Sequence, residues 1–383
     1  MPWSEGPVEE RRRMMMEWEA GATVSELAEA YGVSRQTVYT WINRYQSEGT
    51  NGLEERSRAP HSSPLQTSME VTHALLDVKE KRPRWGPHKL VRLLADQGMT
   101  LSASTARDIL QRNGLVRTRR TRPRLWAPSE QPAIVVPGVG HTMTADHKGQ
   151  FRMGDGRYCF PLTIADPASR YVFAVEGASS TSGALAAPVF ERVFREWGLP
   201  EQIVTDNGAP FCARGIGGLS HLSKQWLKLG IRHVRIQPGR PQQNGRHERM
   251  HRTLKDETTR PPESNMRQQQ KRFNAFVREF NHERPHQALG QQTPVSRVQR
   301  YRREFTGSIP EPDYPASWET RTVRSNGEIK WTGGLTFVGE VLIGERVSLC
   351  QVADGLWQLY FASAHIADWD ERTKKFIRAA ANN

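Results

Sequence analysis

Three proline-rich breaks govern what this chain can fold into. "ERSRAPHSSPLQTS" (55–68), "RPRLWAPSEQPAIVVPGVG" (122–140) and "RREFTGSIPEPDYPASW" (302–318) carry neither helical nor strand periodicity. Proline withholds the backbone donor that either element needs, so these stretches read as linkers. They leave four segments, 1–54, 69–121, 139–300 and 319–372. Each can close around one core, whereas 383 residues are too many for a single core. The expected architecture is multidomain.

The first segment contains "TVSELAEAYGVSRQTVYTWINRYQ". Ser25 is placed to cap a short helix with Leu27, Ala28 and Tyr31 inward. Gly32 turns the chain, and Ser34 caps a second helix with Val38, Trp41 and Ile42 inward. That is helix-turn-helix spacing, in which the second helix enters the DNA major groove. Its outer side would present Arg35, Gln36, Tyr39, Asn43 and Arg44. Arg and Gln suit base edges, and the others suit phosphates. An ordinary small helical bundle is the plain alternative.

The second segment, "GPHKLVRLLADQGMTLSASTARDILQRNGL", repeats the pattern. Leu90, Val91, Leu93 and Leu94 mark one helix and Gly98 a turn. A second helix starts from Ser102 or Ser104, buries Ile109 and Leu110, and ends at Gly114. It carries Arg107 and Arg112. A second helix-turn-helix or winged-type domain is expected, followed by "RTRRTRPR" (117–124), where Arg117, Arg119, Arg120, Arg122 and Arg124 form a phosphate-tracking arm. A solvated linker is the alternative for that run. Lys and Arg outnumber Asp and Glu by 54 to 41, for a net charge of +13, so a polyanionic partner is expected.

The third segment alternates strands and helices. "HTMTADHKGQF", "RYCFPLTIAD" and "SRYVFAVEGA" read as three antiparallel strands, the first pair joined at "MGDG". Helices around "SGALAAPVFERVFREWG" and "LSHLSKQWLKLG" flank the short strands "EQIVTD" and "IRHVRI". A helix through Glu248 and another from about Met266 to His282 follow. The expectation is an α/β core with a mixed five-stranded sheet and helices on both faces. In the fourth segment, "TRTVRSNGEIKWT" and "RVSLCQVADGLWQLYFA" predict two hairpins at Asn-Gly and Asp-Gly, within five or six strands of a small SH3-like β-barrel.

Three acids in the third segment stand out. Asp146 is inside the first strand, and Asp206 ends a later one, at the sheet edge where α/β sites are built. Asp166 reads as a turn cap. Glu248 lies in "PGRPQQNGRHERMHRTLK" (238–255), and helical spacing groups it with His251, Arg252 and Lys255 on one face. Taken singly, the two aspartates have turn-forming readings and Glu248 an ordinary Glu–Arg pairing.

Taken together, "TADHKGQF", "IVTDNGAPF" and "PGRPQQNGRHERMHRTLK" resemble, in order and spacing, the signature blocks of DDE transposases of bacterial insertion sequences, in the retroviral-integrase superfamily. "FNHERPHQALGQQTPVS" (280–296) resembles their trailing block. The resemblance implies an RNase H-like integrase core in which Asp146, Asp206 and Glu248 are the catalytic, metal-binding triad. It implies Mg²⁺, with Mn²⁺ as a substitute, and two ions per active site. It implies a transposase that binds terminal inverted repeats in double-stranded DNA, frees 3′-hydroxyl ends and joins them to target DNA. Dimers or tetramers on paired ends follow from that. Arg252 and Lys255, four and seven residues after the glutamate, match DNA-end contacts. Arg240, Arg246 and Arg249 are further phosphate candidates, and His286 either contacts DNA or caps a buried turn.

The chain departs from the family pattern in places. The stretch between Asp206 and Glu248 is long, and "CARGIGGLSHLSKQ" (212–225) supplies the excess. Met143 and His147 stand where aromatics flank the first aspartate. Cys159, Cys212 and Cys350 lie far apart and form neither a zinc module nor a disulfide framework. No apolar run is long enough for a membrane span, and the Met-rich start carries acids without a cleavage site, so a cytoplasmic, nucleoid-associated protein is expected. Two other functions are weighed: a metal nuclease that only hydrolyses, and a DNA-binding regulator derived from a transposase.

Overall fold

The computed structural model describes residues 7–56, 66–116, 137–237 and 245–378. Contacts divide the chain into two units, Met1–Ser68 and Met69–Asn383.

In the first unit, helices α1 (Pro7–Glu19), α2 (Val24–Ala30) and α3 (Arg35–Glu48) enclose Met14, Met15, Leu27, Val38 and Ile42. The Met-rich start is therefore a helix with two methionines in the core. The cap of α2 is Thr23, not Ser25. Thr23 Oγ1 accepts from Glu26 N, and Glu26 Oε2 accepts from Thr23 N at 2.8 Å, a reciprocal pair that Ser25 could not make from inside the helix. Ser34 caps α3 as expected, accepting from Thr37 N at 3.1 Å. Gly32 turns between the helices at φ +61°, a conformation that favours glycine.

The second unit opens with a helical module of α4 (Met69–Lys81), α5 (Pro87–Asp96) and α6 (Ala103–Arg112). Leu75, Trp85, Leu90, Leu94, Ala106 and Leu110 form its core. Ser102 is the cap of α6, accepting from Thr105 N at 3.0 Å, and Ser104 lies inside the helix. This module packs on the sheet-bearing part of the unit. Arg82 pairs with Glu279 and Glu283, and the Arg284 guanidinium lies 5.6 Å from the Trp85 ring.

The central sheet uses β1 (Thr142–His147), β2 (Phe151–Arg152), β3 (Tyr158–Ala165), β4 (Val172–Ala178), β5 (Gln202–Thr205) and β6 (Arg232–Arg235). β3 pairs antiparallel with β1, β2 and β4, while β1–β5 and β5–β6 are parallel, so the sheet is mixed. It has six strands rather than five because "HTMTADHKGQF" breaks at Lys148–Gln150, leaving β2 as a separate two-residue strand. On one face, Met143 and Ala145 of β1 pack under α7 (Gly183–Trp197) and α8 (His221–Lys228). On the other, α9 (Gly245–Thr258) and α10 (Met266–Arg278) bury Met250, Leu254, Phe273 and Phe276 against β3 and β4. Alternation along β1 thus sends Thr144 and Asp146 to the α9 face. α10 also closes the exposed edge of β4. Asn281 and Gln270 amides bond both the N–H and C=O groups there, which blunts an edge open to strand addition.

The C-terminal region is all β. Five strands, β7 (Glu319–Thr322), β10 (Arg346–Ala353), β11 (Leu356–Phe361), β12 (Ala364–Asp370) and β13 (Lys375–Arg378), form one antiparallel sheet. A separate hairpin pairs β8 (Glu328–Trp331) with β9 (Gly334–Phe337). Asp354-Gly355 joins β10 to β11 as expected. Asn326-Gly327 makes a tight turn, but the strands on either side of it enter different sheets, and β8 instead pairs across Thr332-Gly333. Ile329, Trp331, Val347, Leu359 and Trp369 fill a core common to both sheets.

The extra length after Asp206 holds this β region to the core. Leu219 and Leu227 join its apolar cluster, and Glu345 bridges Lys224 at 2.9 Å and Lys228 at 3.0 Å. Gly217, at φ +68°, packs so closely that a Cβ would lie 2.8 Å from Ile366 Cγ2.

Candidate active site

The register of β1 on β5 pairs Met143 with Ile203 and Thr144 with Val204. Two residues further on, Asp146 stands level with Asp206, just past the end of β5. Both are half-buried. Burial, and then the Asp206 carboxylate, push the Asp146 carboxyl up to about 7. Asp206 Oδ1 accepts from Gly208 N at 3.1 Å, which fixes the turn "DNG" against the strand end. His147 replaces an aromatic in packing, its ring 5.9 Å from Phe211, and Met143 is fully buried.

Glu248 enters from α9, in the first turn of the helix and exposed. It raises the Asp146 carboxyl less than Asp206 does. Among the described residues, no group of three or more His, Cys, Asp and Glu side chains converges closely enough to hold a metal ion. The fold therefore brings two acids together and leaves the third at the margin, as repulsion among three carboxylates favours. Lys148 and Lys255 are within electrostatic reach of each other, and Lys148 also of Asp146, so cations flank the acids. An oxygen-only donor set suits a hard divalent cation.

His251 is not on the Glu248 face. The buried stripe of α9 is His247, Met250, His251 and Leu254, while Glu248, Arg252 and Lys255 point outward. Two imidazoles therefore lie against the sheet, where β1 and β3 present hydroxyls. Thr144 Oγ1 lies 2.8 Å from His247 Nδ1, and Thr163 Oγ1 lies 2.6 Å from His247 Nε2 and 2.7 Å from His251 Nε2. Thr163 Oγ1 is also 2.9 Å from the Asp146 carbonyl oxygen. A hydroxyl has one proton to give, so at least one ring must donate to it. Burial holds both rings neutral, with His247 lowered to about 3 and His251 to about 2. His251 Nδ1 is 3.7 Å from Asp146 Oδ2, a contact of neutral imidazole with carboxyl rather than an ion pair.

Several family models match this chain. "Helix-turn-helix domain" matches residues 10–61, "Homeodomain-like domain" 37–110, "Integrase core domain" 229–294, and "IS481 family transposase, C-terminal domain" 318–376. An insertion element IS407 protein of 31.7 kDa from Burkholderia multivorans is 24% identical over 229 residues, covering 60% of this chain and 80% of the relative. An insertion element IS476 protein of 39.2 kDa from Xanthomonas euvesicatoria is 20% identical over 287 residues, covering 74% and 81%. Together these matches support a bacterial insertion-sequence transposase of the integrase superfamily. Among solved structures, a chain of a simian T-cell lymphotropic virus intasome in complex with PP2A regulatory subunit B56 gamma is 16% identical, with a TM-score of 0.39, over 81% of this chain and all of that one. The HTLV-2 integrase catalytic core in complex with magnesium is 15% identical, with a TM-score of 0.34, over 43% and 99%. Likenesses this loose carry no argument about residues.

The remaining candidate residues separate by position. Arg35, Gln36, Tyr39 and Asn43 are exposed on α3, while Arg44 is half-buried with its guanidinium 4.8 Å from the Trp41 ring. Arg107 and Arg112 are exposed on α6. Arg117, Arg119, Arg120, Arg122, Arg124 and Arg240 lie outside the described residues. Arg246, Arg249, Arg252 and Lys255 are exposed on α9, Arg246 donating to Pro167 O at 3.2 Å. Asp166 caps its turn, Oδ1 accepting from Ala168 N at 2.6 Å and from Ser169 N. His286 is half-buried, its ring 4.7 Å from Phe280, and its backbone N–H donates to Gln292 O. Sequence reasoning missed His247, Thr144, Thr163 and Lys148. The signal for His247 was its place four residues before His251 on the same stripe as Met250 and Leu254. Among the described residues no helix is long and apolar enough to cross a membrane.

Proposed function

We propose that this transposase binds terminal inverted repeats through its two helix-turn-helix modules, cleaves to free 3′-hydroxyl ends and joins them to target DNA. Asp146, Asp206 and Glu248 would hold the divalent cations, Mg²⁺ with Mn²⁺ as a substitute, two per site. The observation that carries the reading is Asp146 standing level with Asp206 on adjacent strands, beside the helix that bears Glu248. The paired aspartates concentrate negative charge that burial makes costly without a cation. Bound cations would activate the attacking oxygen and stabilise the leaving one. Thr163, His247 and His251 hold α9 to β1 and β3, which fixes where Glu248 enters. Lys148, Arg252 and Lys255 offer donors to the phosphates of the DNA end.

Paired ends require a dimer or tetramer, and the β region, read as an SH3-like barrel from its shared core, would support that assembly or contact DNA. The protein would act in the cytoplasm at the nucleoid. The test is a strand-transfer assay with a labelled terminal-repeat duplex, a plasmid target and Mg²⁺. Joined product from the wild type supports the reading. Cleavage without joining favours a hydrolytic nuclease, and tight repeat binding with no chemistry a regulator.

A further inference from the structure

Beside His247, a cavity of about 200 Å³ opens between α5, α9 and the turn that follows α10. Lys89, Arg170, Arg246, Arg249 and Arg284 line it, over a floor that includes Val172, Met250 and Phe280. Its cations come from four separate places: the second helical module, the turn before β4, α9, and the trailing block. Arg284 is ion-paired with Glu257 at 2.7 Å, and the more distant charges of Glu257 and Glu279 act on Lys89 and that of Asp166 on Arg170 without pairing them. Among the described residues, Lys89, Arg170, Arg246 and Arg249 make no ion pair. The acid in the wall, Asp166, has Oδ1 committed to its own turn, and burial raises its carboxyl, which weakens the charge it sets against Arg170.

Cations gathered in a half-enclosed site cost free energy unless a counter-charge joins them. The strain is visible in Lys89, which burial and Arg284 pull down to about 8, and in Arg170, which burial, Arg246 and Arg249 pull down to about 10. We propose that this cavity is a phosphate-binding site that seats a DNA phosphodiester between the second helical module and the sheet-bearing core. It rests on the reading of the chain as a DNA-joining transposase, and it names residues that reading does not use: Lys89, Arg170 and Arg284. The apolar floor accommodates the sugar beside the phosphate. Because Lys89 and Arg170 belong to different parts of the chain, a phosphate held by both fixes the module and the core on the same stretch of DNA. Thr144 and His247 line the cavity too, so the clamp abuts the hydroxyl–imidazole network under Asp146.

The test measures binding of a fluorescent terminal-repeat duplex to the full-length protein across a salt series. Wild type, Arg170→Gln, Lys89→Gln, the double variant and Arg170→Lys are compared, with circular dichroism to establish folding. Loss of that one phosphate from the site should flatten the slope of log K against log salt by about 0.9, the limit the double variant approaches. The double variant should flatten it by more than either single change, and Arg170→Lys should restore the wild-type slope. A folded double variant with the wild-type slope overturns the proposal while leaving the transposase reading intact. Wild type that binds no duplex at any salt overturns both. Should the variants fail to fold, acetylation of Lys89 in the wild type decides. Protection of Lys89 by the duplex supports the site, and equal labelling with and without duplex overturns it.

Discussion

Thr163 Oγ1 lies 2.6 Å from His247 Nε2, and that bond ties β3 to α9 beside Asp146. Removing the hydroxyl in Thr163→Val leaves two buried imidazole nitrogens without their partner. An unsatisfied buried polar group costs about 1–3 kcal/mol, so thermal or urea unfolding should register a loss of that order. Duplex binding should change less than strand transfer, because the network positions the Glu248 helix rather than touching DNA. Unchanged stability would mean the bonds to Thr163 contribute nothing net.

The Asp146 carboxyl is raised first by burial and then by Asp206. Replacing the second charge, in Asp206→Asn, should lower the Asp146 pKa from about 7 without returning it to the ordinary carboxylate range, since burial remains. Carbon-13 NMR titration of the metal-free protein reads this directly. An unshifted midpoint would show that the two acids do not sense one another.

Divalent cations should stabilise the fold if the carboxylates hold them. At a hundredfold excess over Kd, a ligand bound only by the folded state adds about 2.7 kcal/mol. Titrating Mg²⁺ into metal-free protein should raise Tm, EDTA should reverse the gain, and Asp146→Asn should abolish it. A Tm that rises equally in Asp146→Asn would place the cation elsewhere.

Acid should destabilise the metal-free protein before its ordinary carboxylates are titrated. His233, His247 and His286 are each held neutral, mainly by burial, at about 3, whereas an unfolded histidine titrates near ~6.5. Between those values the unfolded chain takes up protons that the folded chain refuses. Their stability is therefore full above about 6.5 and lost as pH falls towards 3. Asp146 acts in the opposite sense, its raised pKa favouring the folded state as pH drops below about 7. Burial also lowers His251 and His147, and raises Asp166 and Glu279 in the sense of Asp146. Five histidines against three acids predict a falling urea midpoint from pH 7 to 5, and a smaller fall in His233→Gln. A midpoint that rises over that range contradicts this.

Much of the architecture is written in short-range chemistry. Ser34, Gly32 and the 3.6-residue apolar spacing announce the first helix-turn-helix, because caps and left-handed turns are set by residues close in sequence. The mixed sheet is legible from apolar runs and turn residues alone. What escapes is decided by long-range partners. Thr23 rather than Ser25 caps α2 because the reciprocal glutamate at Glu26 selects it. The strand pairing at Asn326-Gly327 depends on β10 and β9 competing for β7 and β8, which no local pattern reveals. Spacing groups His251 with Glu248, yet the Thr163 hydroxyl gives the buried imidazole its partner, from a strand 88 residues away. Nor could spacing indicate that "CARGIGGLSHLSKQ" would serve as the dock for the β region.

The central claim is that Glu248, with Asp146 and Asp206, performs metal-dependent DNA joining. The most direct measurement compares wild type with Glu248→Gln in strand transfer of a labelled terminal-repeat duplex into plasmid DNA with Mg²⁺ or Mn²⁺, at matched duplex binding. The account predicts joined product from the wild type and none from Glu248→Gln, although both bind the duplex. Joined product from Glu248→Gln at the wild-type level would contradict it.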